Sequence, residues 1–128
     1  MERKKNLKWD DLYNPQHRSL FSKIEEFVIN NYFSKIFTNS ILTASEKKSG
    51  KILEPGAGGG MASATLAKLG FELTCMDLSE NALEKNKSLF ESLSLNGKYI
   101  LGDIFHLPIS DEKFDIVFNQ GVMEHFRL

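Results

Sequence analysis

The chain has 128 residues, of which 41% are apolar and 26% charged, and its formal net charge is −1. This length supports one domain with its own core, and the composition is that of a soluble globular protein rather than a disordered segment. The near-neutral charge speaks against nucleic acid as a partner. The lack of any apolar run approaching ~20 residues speaks against a membrane span and for a cytoplasmic chain. The single cysteine excludes an internal disulfide or a multi-cysteine metal centre, and no metal is expected.

Arg3, Lys4, Lys5 and Lys8 form a basic tail, which reads as a solvated segment. Trp9, Tyr13, Gln16 and His17 cluster just behind it, a grouping that fits aromatic packing against the sheet. From Pro15 to Ala44 the apolar residues Leu20, Ile24, Phe27, Val28, Ile36, Phe37 and Ile41 fall at helical spacing, predicting one long helix or two short ones. Residues 1–49 thus read as a tail and helical cap, and residues 50–128 as the principal domain.

Past the polar break at 45–50, strands and helices alternate. Lys51 to Glu54 reads as a strand, Gly60 to Leu69 as a helix, Phe71 to Met76 as a strand, and Ser79 to Leu93 as a helix capped by Ser79. Asn96-Gly97 turns into a strand from Lys98 to Leu101. A loop through Pro108 leads to a last strand from Phe114 to Asn119, and Gly121 to Leu128 could begin another helix. Strands separated by helices imply right-handed crossovers and a parallel sheet, with the ligand at the carboxyl ends of the strands. Cys75 falls in an apolar strand pattern and reads as a buried thiol.

The first strand runs into Glu54-Pro55-Gly56-Ala57-Gly58-Gly59-Gly60, a glycine loop that opens a helix. Glycines at 56, 58 and 60 allow a sharp turn and a close backbone approach to a nucleotide-shaped ligand. A G-x-G-x-x-G dinucleotide fingerprint would need glycine at position 61, which is Met61, and no Gly-Lys-Ser/Thr follows to make a phosphate loop. Asp77 stands about 20 residues beyond Gly56, where a carboxylate can accept hydrogen bonds from both ribose hydroxyls or cap the next helix. Asp103 could accept from an adenine amino group while Ile104 packs on the ring face. Alone, it is no more than a loop acid.

Together these segments resemble the first half of the class I S-adenosylmethionine-dependent methyltransferases. Ile52 to Gly60 resembles the family's first motif and Met76-Asp77-Leu78-Ser79 its ribose-binding acidic loop. Gly102-Asp103, Leu107-Pro108 and Phe114-Asp115-Ile116-Val117 resemble the adenine-side loop and fourth strand, and Val122-Met123-Glu124-His125 the segment after it. The resemblance implies a Rossmann-like α/β fold, a three-layer αβα sandwich on a mostly parallel sheet with strand order 3-2-1-4, preceded by the N-terminal helix or helices.

It also implies a cofactor, S-adenosyl-L-methionine, with S-adenosyl-L-homocysteine as product, and a small-molecule methyl acceptor. Gly56, Ala57, Gly58 and Gly60 would pass under the methionine part, with Glu54 near its ammonium group. Asp77 and Leu78 would hold the ribose and Asp103 and Ile104 the adenine, while Asn119 and Gln120 would close over the sulfonium side. Three acids around a doubly cationic cofactor are favourable electrostatics that a pyrophosphate would not share. Glu124 and His125 are the candidate proton acceptors, with a surface role the alternative for His125. Asn119-Gln120-Gly121-Val122 lacks the Asn/Asp-Pro-Pro-aromatic signature of amino-group methylation on adenine or glutamine.

The family's sheet usually has seven strands, and four are found here. The expectation is a truncated domain, or a homodimer pairing the Phe114 to Asn119 edges of two copies, or a second chain completing the fold. Two rival functions follow: a module that binds the cofactor without chemistry of its own, and a dinucleotide-dependent oxidoreductase domain.

Overall fold

The apolar run after Gly50 becomes a central strand because neighbours on both sides bury it. The computed structural model describes residues 2–3, 20–109, 111–122 and 126–127. Strand β1 is Glu2–Arg3 and helix α1 Leu20–Ser45; β2 (Lys51–Pro55) and α2 (Met61–Lys68) follow, then β3 (Glu72–Asp77) and α3 (Glu80–Ser92). Strands β4 (Gly97–Leu101), β5 (Ile116–Val117) and β6 (Phe126–Arg127) complete the order. No described helix is long and apolar enough to cross a membrane.

After one exposed leading residue, β2 and β3 are buried along almost their whole length, as strands inside a parallel sheet are. They pair in parallel from Lys51↔Glu72 to Pro55↔Met76, and β4 joins β3 from Leu73↔Gly97 to Asp77↔Leu101. On the other side β5 pairs with β2, giving the order β4-β3-β2-β5, which is the expected 3-2-1-4.

The last strand is shorter than the six residues its apolar run predicts. Only Ile116 and Val117 pair as strand. At its start the Asp115 carboxylate takes the Lys51 N–H at 2.8 Å, so a side chain does part of what the ladder would do, and its N–H returns a bond to the Lys51 carbonyl. Lys47 stands 3.6 Å away, and these contacts hold the exposed Asp115 carboxyl below its usual range.

Two local expectations are corrected near the chain ends. Glu2 and Arg3, read as part of a solvated tail, pair antiparallel with Arg127 and Phe126 in a separate two-stranded ribbon. The same ribbon makes 126–127 a strand where a new helix was expected. In both places a long-range pairing overrides local pattern.

Helix α1 is continuous. Its Phe37 meets Phe118 edge-to-face with ring centroids 5.7 Å apart, and its Ile41 and Leu42 pack on the cluster that holds α2. Ile52, Leu73, Cys75, Ile116 and Phe118 form that cluster's sheet face, with Leu66 of α2 and Phe90 of α3 seated on it. Successive strand residues point to opposite faces, so Val117 lies on the other side, where it is 60% exposed.

Both short helices end in the same device. At α2, the Gly70 N–H bonds to the Ala67 carbonyl and the Phe71 N–H to the Leu66 carbonyl; at α3, Ser94 bonds to Glu91 and Leu95 to Phe90. This double closure requires a left-handed residue after the helix. Gly70 adopts φ 95° without strain, whereas Ser94 carries a Cβ at φ 55°. Ser94→Gly is therefore expected to stabilise the protein by about 0.5–1 kcal/mol, seen as a rise of a few degrees in Tm; an unchanged or lower Tm would contradict this reading.

Candidate functional site

Everything singled out in the sequence on β2 and β3 arrives at their carboxyl ends. The β2 strand ends at Glu54 and Pro55, and the chain then turns through Gly56, Gly58 and Gly60, with φ 73°, 52° and 81°. At two of these positions the need for glycine is also spatial. A Cβ at Gly56 would overlap the Val122 side chain, and one at Gly60 would overlap the buried Asn86 amide. The loop is thus closed over from one side by the segment after β5 and supported from the other by α3.

Hydrogen bonds pin the loop to the end of β3. The Gly56 and Ala57 N–H groups both donate to the Met76 carbonyl, at 2.7 and 3.0 Å. The Gly58 N–H donates to Asp77 Oδ2 at 2.8 Å, and the Ser79 N–H to Asp77 Oδ1 at 2.9 Å. Asp77 therefore fastens both the glycine loop and the start of α3, while Ser79 Oγ caps that helix by accepting from the Ala82 N–H at 3.1 Å. The half-buried Asp77 carboxylate keeps acceptor capacity, since two of its roughly four lone-pair positions are used by these bonds.

The third acid is brought alongside. The Gly102 N–H donates to the Asp77 carbonyl at 2.9 Å, placing Asp103 next to the tip of β3. Asp103 closes a small turn in which its Oδ1 accepts from Phe105 N–H at 3.1 Å and its carbonyl from His106 N–H at 2.9 Å. Ile104 is half-buried in that turn and Leu78, between Asp77 and the cap, is exposed. Asn119, half-buried, and Gln120, exposed, follow the β5 end, which is tied to β2 by the Phe118 N–H donating to the Leu53 carbonyl at 3.1 Å. Glu124, His125, Trp9, Tyr13, Gln16 and His17 lie outside the described residues.

Glu54 differs from the other acids. It is 3% exposed, and the fully buried Ser63 hydroxyl donates to its carboxylate. Gly60, which caps α2, has no side chain, so Glu54 supplies from the neighbouring strand an acceptor to the first turn of that helix. Burial pushes its pKa up to about 8; the Ser63 hydroxyl opposes that rise, and the neighbouring Asp77 charge adds to it. Cys75 is the buried thiol its pattern predicts, and burial pushes it up to about 12, so it stays protonated at neutral pH.

Two supporting residues were not singled out in the sequence. Ser63 sits in a short helix whose pattern gives no hint of a polar partner. Asn86 was legible: it shares the buried stripe Ala82, Leu83, Asn86 and Phe90, where an amide is out of place unless it meets a polar neighbour. In the fold it packs against the loop at Gly60, and neither amide atom is hydrogen-bonded among the described residues.

A family model described as a methyltransferase domain matches residues 53–128. The chain is 36% identical over 74 residues to a Ubiquinone biosynthesis O-methyltransferase of Coxiella burnetii, an alignment covering 58% of this chain and 32% of that protein. It thus spans about a third of the length of that curated relative. Among solved structures, a protein of Methanococcus maripaludis described as an S-adenosyl-L-methionine-dependent methyltransferase superposes with TM-score 0.76 at 20% identity, over 99% of this chain and 57% of that one. The magnesium protoporphyrin IX methyltransferase of Synechocystis, solved with bound cofactor, gives TM-score 0.69 at 19% identity, over 93% and 57%.

Proposed function

We propose, for a chain that belongs to the methyltransferase-domain family, that the glycine loop and its acids hold S-adenosyl-L-methionine and that the domain serves transfer of its methyl group to a small-molecule acceptor. The observation that carries the reading is the Asp77 clamp. One carboxylate sets the loop through Gly58 and the helix start through Ser79, and still has acceptor positions for a ribose diol. The residues fit this cofactor: glycine backbone where a Cβ would be strained, acids in place of cations, and no Lys-Ser/Thr pair for phosphate.

Bound there, the sulfonium supplies a methyl carbon open to in-line displacement, and the protein's share of the chemistry is to align the reactants and exclude water. In this reading Gly56, Ala57, Gly58 and Gly60 carry the methionine part, Asp77 and Leu78 the ribose, and Asp103 and Ile104 the adenine. Asn119 and Gln120 border the sulfonium side, and Glu54 answers the ammonium charge. An oxygen acceptor is favoured by the likeness to a protein named as an O-methyltransferase, with Glu124 or His125 taking the proton.

Incubation with methyl-labelled cofactor and a panel of phenolic acceptors tests the reading. Label appearing on an acceptor supports it. Cofactor bound without transfer to any acceptor favours the second reading, a binding module that needs further chain for chemistry. One observation favours that alternative: among the described residues β5 is an unpaired edge of the sheet, where the family's remaining strands would add. A second copy pairing antiparallel through β5 would also close it, and sedimentation decides this, a dimer supporting the pairing and a monomer contradicting it.

A further inference from the structure

We propose that Glu54 is a proton-linked counter-charge, held as a buried carboxylic acid in the free protein and ionised when a cationic amino-acid ligand settles on the glycine loop. The inference rests on the cofactor reading above and deepens it, because it states what the site exchanges with water on binding.

The geometry is that of a carboxyl with little to stabilise its charge until a ligand supplies it. Glu54 ends β2 directly beneath the loop and is 3% exposed. From α2 it receives the Ser63 hydroxyl and, more weakly, the Ser63 N–H. From β3 it faces the neutral Cys75 thiol, its register partner, and the Asp77 carboxylate, whose charge opposes a second negative charge nearby. From α3 come the neutral Asn86 amide, against Gly60, and the exposed Lys85 side chain, which passes Gly59. Two carboxylates sharing one small site do not both ionise readily in a buried setting. A Glu54 pKa raised to about 8 agrees with this arrangement. A ligand whose ammonium group settles beside Glu54, while its ribose occupies Asp77, supplies the compensating charge and replaces the lost hydration, so the Glu54 proton departs to solvent. No covalent bond forms or breaks, and the only exchange is one proton for one cationic group.

The consequence is thermodynamic linkage. At pH 7 binding should release close to one proton, and affinity should tighten by up to about tenfold per pH unit as pH rises from 6 toward 8, then level off. S-adenosyl-L-homocysteine is the suitable probe because its ammonium is its fixed cation, and the buried Cys75 thiol, pushed up to about 12, stays protonated across that window.

The experiment is calorimetric titration of the full chain with S-adenosyl-L-homocysteine at pH 7 in buffers of different ionisation enthalpy, repeated with Glu54→Gln. Glutamine is isosteric with the protonated acid and keeps the Ser63 acceptor. The expected result is a heat that scales with buffer enthalpy as roughly one proton released, and no such slope for E54Q, which binds more weakly with an affinity flat from pH 6 to 8. Binding without a buffer-dependent heat, or with the same slope in E54Q, overturns the proposal. No binding at any pH by a folded protein overturns the cofactor reading instead.

The ligand-free chain gives an independent check. A carboxyl whose pKa is raised in the folded state keeps its proton where the unfolded chain has lost it. Its stabilising share is therefore complete below about 4.5 and lost as pH rises toward about 8. The Tm difference between wild type and E54Q should shift against wild type across that window, and a constant difference counts against the proposal.

Discussion

Replacing Asp77 by alanine is expected to weaken S-adenosyl-L-homocysteine binding by roughly 10- to 150-fold, the loss of about 1.5–3 kcal/mol for a hydrogen bond to a charged group. The structure explains why the effect should exceed that of removing a ribose contact alone. The same carboxylate accepts from the Gly58 N–H at 2.8 Å and the Ser79 N–H at 2.9 Å. Without it two backbone donors lose their partners and the loop loses its tie to α3. D77A should therefore lower Tm as well as affinity. Asp77→Asn keeps one acceptor oxygen and should sit between the two in both measurements. Unaltered binding by D77A, with a folded protein, would show that the carboxylate serves only as a helix-start acceptor.

The second large effect concerns the loop itself. Gly60→Ala is expected to destabilise the protein by about 2–5 kcal/mol, read from denaturant midpoints, because two independent costs add. Position 60 has φ 81°, a left-handed conformation costing roughly 1–2 kcal/mol for a residue with a Cβ. The new methyl would also press on Asn86, whose amide is fully buried and makes no hydrogen bond among the described residues, so it has no open space into which to withdraw. Combining G60A with Asn86→Ala should recover the packing cost and leave the backbone cost. A single mutant as stable as wild type would mean that the loop readily adopts another path.

How much of this was legible depends on whether the signal was local. The strands β2, β3 and β4 and helices α2 and α3 begin and end within about two residues of where apolar period, Ser79 and the glycines put them, because caps and turns act over a few residues. The alternation of strands and helices implied a parallel sheet, and its order came from the family resemblance. The extent of β5 was not legible: Phe114 to Asn119 reads as a full strand, but pairing needs a neighbour and β5 has one on a single side. Nor was the Glu2–Arg3 pairing with Phe126–Arg127, where two polar residues carry no period and the contact joins opposite ends of the chain.

In the site, the loop and the position of Asp77 were visible because glycine and acid spacing is a local property. The protonation of Glu54 was not. It depends on Ser63, on Asp77 one strand away, and on the depth of burial at the end of β2, none of which sequence spacing encodes. Asn86 lay between, since its place on the apolar stripe of α3 marks it as unusual while only the fold shows what it touches.

Titrating the chain with S-adenosyl-L-homocysteine in parallel with NAD asks whether the Asp77-clamped glycine loop holds S-adenosyl-L-methionine. Saturable binding of the sulfur nucleoside is expected, with NAD, whose pyrophosphate would face the acids Asp77 and Asp103, binding far more weakly. A folded chain that binds NAD in preference, or neither ligand, would contradict it.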